Sequence, residues 1–392
     1  MLLQDSHTSP ADSGRRAWVP LPRRDYILLP LLSLLTVGVL FTITEMATRL
    51  IWSEHEDDVC FVNDPVSGFR FKPNCTSRVK NAEGNWTSNS YNDCGYRSPT
   101  SCGTKLPGSI RIAILGSSVS QGVFVSYPET FPARVAAALQ RKCRRTIDIQ
   151  NLGVPNTSPI YVYRRLNEAL SLKPDIVLFV LTPFDLEQRM DPQQLAKRND
   201  PNPAINAPGT TIQLSPYKRL QKLFTGSRTT YVAQHFLLQN QETFIRLYLL
   251  YGDKADFLRQ PLTRAWQERF EDLDLIIGDM AQRVRASGSV LLLMPVPSRA
   301  EAAVLSYPRT LPRVDPAAFG RHIAQIAQKH HAGYVDLMSE FKQTPHSEDL
   351  FYVVDGHVTS EGHALIARGL LQKLTDGSIP PLSACSGEAS KS

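Results

Sequence analysis

The sequence predicts an α/β protein, a three-layer α/β/α sandwich around a mostly parallel five-stranded sheet, preceded by one transmembrane helix. Two patterns carry this expectation. Beyond residue 105, short apolar runs alternate with stretches of helical period, as parallel strands joined by crossover helices do. Near the N-terminus, "YILLPLLSLLTVGVLFTIT" holds no charged residue from Tyr26 to Thr44. At a rise of about 1.5 Å per residue, that run is long enough to cross a bilayer.

The elements follow in order. Arg15, Arg16, Arg23 and Arg24 precede the apolar run, whereas Glu45, Arg49, Glu54, Glu56, Asp57 and Asp58 follow it. The positive-inside bias therefore predicts a cytoplasmic tail over 1–25, an anchor over 26–44 and an extracytoplasmic remainder. This makes a single-pass protein of the inner (cytoplasmic) membrane with a periplasmic domain. A cleaved signal peptide is the competing reading, but the apolar core exceeds the usual length and no small-residue cleavage site follows. A buried core helix is the third.

All six cysteines (Cys60, Cys75, Cys94, Cys102, Cys143, Cys385) follow the span, as suits an oxidising compartment. Residues 45–105 contain four of them among Asn, Ser, Gly and Pro, and read as an irregular disulfide-pinned segment. Cys60 with Cys75 and Cys94 with Cys102 is the local pairing among three possible.

The main domain spans 106–376. "IRIAILG", "IDIQNLG", "DIVLFVLT", "SVLLLMPV" and "GYVDL" are its strands. "ETFPARVAAALQRKC", "YVYRRLNEALSL", "FGRHIAQIAQKH" and "SEGHALIARGLLQKL" are amphipathic helices. The long third connection contains an insertion over 186–260 and then a crossover helix with Trp266, Phe270, Leu273, Ile277, Met280 and Val284 on one stripe. Within the insertion, "TTYVAQHFLLQNQETFIRLYLLY" reads as a cap, as a membrane-lying surface or as a helix packed on the core. Residues 377–392 read as a loose tail, apart from Cys385.

Composition narrows the function. Lys and Arg number 43 against 37 acidic residues, a net charge of +6, but they form no dense block, which argues against a nucleic-acid partner. The cysteine spacings are not those of a zinc site, and no cofactor or metal is expected.

"IRIAILGSSVSQG" places small residues and three serines where the first strand turns into a helix. An α/β sandwich presents ligands beyond the carboxyl ends of its strands, and amides at a helix start can stabilise an oxyanion. Near the far end, "LFYVVDGHVTSEGH" sets Asp355 and His357 before a helix with Ser360 as N-cap candidate. A serine needs an imidazole to take its proton, and the imidazole needs a carboxylate to hold its tautomer. One of the three serines, with His357 and Asp355, would supply all three groups. The bland reading of each remains a backbone-driven turn and a surface histidine.

"LGSSVSQG", "NLGVPNTS" and "DGHVTSEGH" together resemble the SGNH (GDSL-like) hydrolase superfamily over about residues 106–375. The resemblance implies that Ser118 is the nucleophile, with Ser117 where the family has Asp, and that Asp355 and His357 are acid and base. It also implies that the amides of Ser118 and Gly153 contribute to the oxyanion hole. "YNDCGYRS" and "MPVPSRAEA" are similar to a membrane-anchored, extracytoplasmic subgroup related to alginate O-acetylation proteins. One departure stands out: "LTPFDLEQ" has Phe184 where the family has an oxyanion-hole Asn, with Asp185 beside it. Asn156 and Thr182 are candidate substitutes. The implied activity is that of a membrane-anchored serine esterase or O-acyltransferase acting on ester, chiefly acetyl, groups of extracytoplasmic carbohydrate. A membrane-bound polysaccharide-modification partner goes with it. The alternative is a non-catalytic scaffold or binding protein of envelope polysaccharide assembly.

Overall fold

The computed structural model describes residues 22–57, 60–187, 189–200 and 226–385. The chain divides into two compact units, Met1–Ile51 and Trp52–Ser392. The expected tail over 1–25 lies almost wholly outside the described residues, as does the end of the C-terminal tail.

The first unit contains helix α1 (Asp25–Ile51), 27 residues with a mean hydropathy of 2.3 over its most apolar stretch. It is long and apolar enough to cross a membrane, and extends past the charge-free run. Thr36, Thr42 and Thr44 each return their hydroxyl to the carbonyl four residues earlier at 2.8 Å. No hydroxyl of these three is left for solvent to satisfy, which an apolar surrounding requires.

The second unit begins with five short strands. β1 (His55–Asp57), β4 (Thr76–Lys80) and β5 (Trp86–Ser90) form an antiparallel sheet, and β2 (Phe61–Asp64) pairs with β3 (Gly68–Phe71) in a hairpin. Disulfides join Cys60 to Cys75 and Cys94 to Cys102. The segment expected to be irregular is thus a small β layer. It is also not separate: Cys60, Phe71 and Tyr91 share a core with Val154 of the main domain, and the Phe71 and Tyr91 rings stack at 3.9 Å.

The main sheet contains β6 (Ile110–Leu115), β7 (Ile147–Asn151), β8 (Ile176–Leu181), β9 (Val290–Pro295) and β10 (Gly333–Tyr334). All neighbours are parallel, in the order β7–β6–β8–β9–β10. Alternate residues of each strand feed two cores. Ala113, Leu115, Val177, Phe179, Leu291 and Leu293 face one, and Ile112, Ile114, Leu178, Leu292 and Met294 the other. Burial on both faces explains the uninterrupted apolar runs.

Short α2 (Ser118–Gln121) follows β6, and α3 (Phe131–Cys143) leads to β7. The helix expected next breaks at Arg165 into α4 (Pro159–Arg164) and α5 (Leu166–Ser171). The described part of the insertion contains α6 (Pro192–Ala196), α7 (Arg228–Leu238) and α8 (Gln241–Tyr248). Phe244 and Ile245 of α8 are buried in the core, so this piece packs on the domain, while α7 buries none of its residues. The crossover helix α9 (Arg264–Ala286) buries the whole expected stripe.

The remaining helices are α10 (Arg299–Ser306), α11 (Ala318–Lys329), α12 (Met338–Gln343) and α13 (Ser360–Leu374). The expected tail from 377 is corrected as far as it is described. Leu382 and Cys385 are buried in a short turn, and Cys385 is joined to Cys143. From β6 the chain moves outward to β7 and then crosses to β8, so the strand order reverses between β6 and β8. Sandwiches of this kind open a crevice at the carboxyl ends there.

Candidate active site

The β6–α2 turn stands at that crevice. Gly116 is required by close approach: a Cβ on it would lie 2.9 Å from the Val180 carbonyl and 2.8 Å from Ser120 Oγ. Ser118 is the first residue of α2, so its amide has no intrahelical acceptor. Ser120 is fully buried and returns its hydroxyl to the Ser117 carbonyl at 2.7 Å, bracing the turn.

Arg97, from "YNDCGYRS", closes the turn from below. Its buried guanidinium donates to the carbonyls of Gln121 (2.7 Å), Gly122 and Val125 (2.6 Å). Burial pulls its pKa down to about 10, still charged at neutral pH. A charged donor on carbonyls at the end of so short a helix opposes the partial negative charge there.

The second arm is the turn from Tyr352 to His357. The Tyr352 amide donates to the His357 carbonyl at 2.9 Å, and Gly356 takes φ +81°, which favours glycine. Asp355 Oδ1 accepts from the His357 amide at 3.0 Å and lies 2.6 Å from Nδ1. His357 Nε2 is 2.8 Å from Ser118 Oγ. Residues 239 apart in sequence thus meet, and the three predicted side chains form one hydrogen-bonded chain. With a proton on Nδ1 facing the carboxylate, Nε2 presents its lone pair to the serine hydroxyl. The helix after the turn starts one residue earlier than expected: Thr359, not Ser360, is the N-cap, accepting from the Gly362 amide at 3.3 Å.

The expected oxyanion-hole residues divide. Gly153 is corrected, because its amide donates to Asn151 Oδ1 at 3.0 Å and is already used. A Cβ at this position would lie 2.3 Å from Ser120 Oγ and 2.8 Å from the Gln121 amide nitrogen. Gly153 is therefore glycine to let two loops touch. Asn156 borders the crevice with Thr157 and Ser158, and takes the left-handed conformation at φ +56° that Asn tolerates. Phe184 also borders the crevice, exposed. Asp185 caps its own turn, taking the Thr182 amide at 2.7 Å and hydroxyl at 3.0 Å. Burial pushes its carboxyl up to about 6, against the pull of the Ser117 hydroxyl and of Thr182.

Around these groups lies a cleft of about 820 Å³. Its floor is the β6, β7 and β8 ends, and one wall is the tip of the β2–β3 hairpin, with Asp64, Ser67 and Phe69. Tyr161, Phe184 and Glu187 continue the lining. Sequence reasoning missed this wall, since polar loops 50 residues from a motif show no periodic signal of where they dock. His363, set aside as a packing residue, is buried, and accepts from the Phe131 amide at Nδ1 (3.3 Å). Burial holds its pKa down to about 3, so it stays neutral. Among the described residues, the one cluster of potential metal ligands is Asp93 with Cys94 and Cys102, whose sulfurs are already bonded to each other.

A family match makes this sandwich, with its sheet-end crevice, a hydrolase that acts on ester bonds. The model of the GDSL-like lipase/acylhydrolase family matches residues 114–365, and the chain belongs to that family. No curated protein sequence matches it. Among solved structures it is similar to an alpha/beta hydrolase from the metagenome of Lake Arreo, at 14% identity over 67% of this chain and 94% of that one, TM-score 0.39. It is likewise similar to the acetylxylan esterase Axe2 of Geobacillus stearothermophilus, at 14% identity over 67% and 93%, TM-score 0.37. A third is a lipase/acylhydrolase from Enterococcus faecalis, at 11% identity over 68% and 95%, TM-score 0.38.

Proposed function

We propose that the protein is a membrane-anchored serine esterase or O-acyltransferase that acts on ester-linked acyl groups, chiefly acetyl, of extracytoplasmic carbohydrate. The observation that carries this reading is the continuous hydrogen-bonded chain Asp355–His357–Ser118 at 2.6 and 2.8 Å at the edge of an open cleft. Ser118 Oγ attacks the acyl carbonyl as its proton moves to His357 Nε2. The tetrahedral intermediate collapses when Nε2 returns that proton to the departing sugar oxygen, leaving an acyl-serine. Water, or a second sugar hydroxyl, then attacks that ester with Nε2 again taking the proton, and Nε2 returns it to Ser118 Oγ as the acyl–serine bond breaks. Asp355 keeps the proton of Nδ1 in place throughout and stabilises the imidazolium. The Ser118 amide and the Asn156 loop are the oxyanion contacts, with Phe184 contributing no donor.

Carbohydrate is supported by the lining, where aromatic rings (Phe69, Tyr161, Phe184) alternate with carboxylates and hydroxyls (Asp64, Glu187, Ser67). Rings of this kind cover the apolar face of a sugar while polar groups meet its hydroxyls. An extracytoplasmic site is supported by the pairing of all six cysteines and by the arginines ahead of α1.

The test is turnover of a chromogenic acetyl ester by the full chain in detergent. Replacing Ser118 by Ala is expected to lower kcat by about 10⁴-fold or more. Equal rates in wild type and Ser118→Ala would remove Ser118 from the chemistry, and folded protein without any turnover on esters, with or without a sugar acceptor, would favour the scaffold role.

A further inference from the structure

We propose that Glu83 is a positioning residue for this reaction, holding the catalytic-acid loop from outside the α/β domain; this rests on the reading of Asp355 and His357 given above. Glu83 lies in the β4–β5 turn of the N-terminal β layer. Its side chain is 3% exposed. The carboxylate accepts the Val354 amide at 3.1 Å on each oxygen and the Asp355 amide at 3.3 Å. These are the two peptide groups that lead directly into the Asp355 side chain. Hydrogen bonds from amides to a carboxylate are among the stronger kinds, and a change of backbone angle here swings Asp355 away from Nδ1.

Glu83 is itself fixed on three sides. Its amide donates to Asn81 Oδ1 at 2.8 Å, and Gly84 closes on the ring of Tyr352, where a Cβ would meet the phenol oxygen at 2.9 Å. From α7, His235 Nδ1 stands 2.6 Å from one carboxylate oxygen and the Tyr231 hydroxyl donates to the other at 3.2 Å. Gln239 holds His235 Nε2 at 2.8 Å, and Trp52, the first residue after α1, sets its ring edge to His235 at 4.6 Å. On the far side, Arg299 donates to the Val353 carbonyl at 2.6 Å, fixing the same loop one residue earlier. The loop is clamped at three consecutive residues, and none of the clamping groups touches the reacting atoms.

The test compares kcat and KM of the full chain in detergent on the chromogenic acetyl ester. Wild type and Asp355→Ala are each measured with Glu83 intact, with Glu83→Ala and with Glu83→Gln, and thermal unfolding checks that each variant folds. In the wild-type background, Glu83→Ala is expected to lower kcat about 10-fold or more with KM within about twofold. Beside Asp355→Ala, the same substitution is expected to cost less than about twofold, since a residue acting through Asp355 has nothing left to position. Should Glu83→Ala fail to fold, Glu83→Gln, which keeps one acceptor oxygen, is expected to show a smaller loss with the same dependence on Asp355. Unchanged kcat in a folded Glu83 variant, or an equal loss with and without Asp355, would overturn the proposal. If Asp355→Ala is itself as fast as wild type, the reading of the triad fails first, which separates the two outcomes.

Discussion

Ser117, Ser118 and Ser120 show how three like residues in one turn acquire unlike roles. The hydroxyl of Ser120 is spent on the backbone, Ser117 lies against the half-buried carboxyl of Asp185, and only Ser118 faces the imidazole. Gly153, which the motif suggested as an oxyanion donor, instead owes its identity to contact with this turn. Gly153→Ala is therefore expected to cost about 1–3 kcal/mol of stability and to lower kcat, because the added methyl displaces Ser120 and Gln121 from under the nucleophile. Denaturant unfolding and the ester assay measure the two effects, and an unperturbed variant would return Gly153 to a donor role.

At the scale of elements, the caps decide where functional loops begin. Helix α10 opens beside the cleft with a reciprocal cap: Glu301 accepts the Ser298 amide at 2.6 Å and hydroxyl at 2.9 Å. Burial pushes the Glu301 carboxyl up to about 8 despite those bonds. Between the usual carboxylate pKa and about 8, the folded chain thus binds more protons here than the unfolded chain does, so this group lowers stability as pH rises. Glu301→Gln keeps the cap without the titration. Its melting temperature relative to wild type is expected to rise steadily from pH 5 to pH 8, and a constant difference across that range would show that Glu301 does not titrate there.

For the whole molecule, the main point is that the N-terminal β layer is part of the site. With the segment that follows it, it supplies Arg97 beneath the Ser118 turn, Glu83 beneath the Asp355 loop and the β2–β3 wall of the cleft. A disulfide ties the opposite end down: Cys143 and Cys385 are separated by 242 residues, so the loop they close is long. By the chain-entropy argument such a link stabilises by up to about 5 kcal/mol. Cys385→Ser is expected to lower the denaturant midpoint with most of the acetyl-ester kcat retained, since the bond lies against α3 and not at the cleft. A midpoint equal to wild type would mean that the unfolded chain gains nothing from release of the link.

Much of this was legible in the residues alone. Strands buried on both faces leave uninterrupted apolar runs, helices with one buried face leave a 3.6-residue period, and Ser118, His357 and Asp355 lie in short motifs at element ends. The sequence by itself therefore determined the sandwich and the charge-free helix, and it offered the local disulfide pairing and the trio Ser118, His357 and Asp355 as expectations. Other features depend on long-range docking of polar, aperiodic loops, which no local pattern encodes. Only the tertiary structure decided that Glu83 and Arg97 stand behind the Asp355 and Ser118 loops, that Thr359 and not Ser360 caps α13, and that Gly153 is a packing glycine. Its amide donates to Asn151 Oδ1, two residues away, a bond that no local pattern encodes.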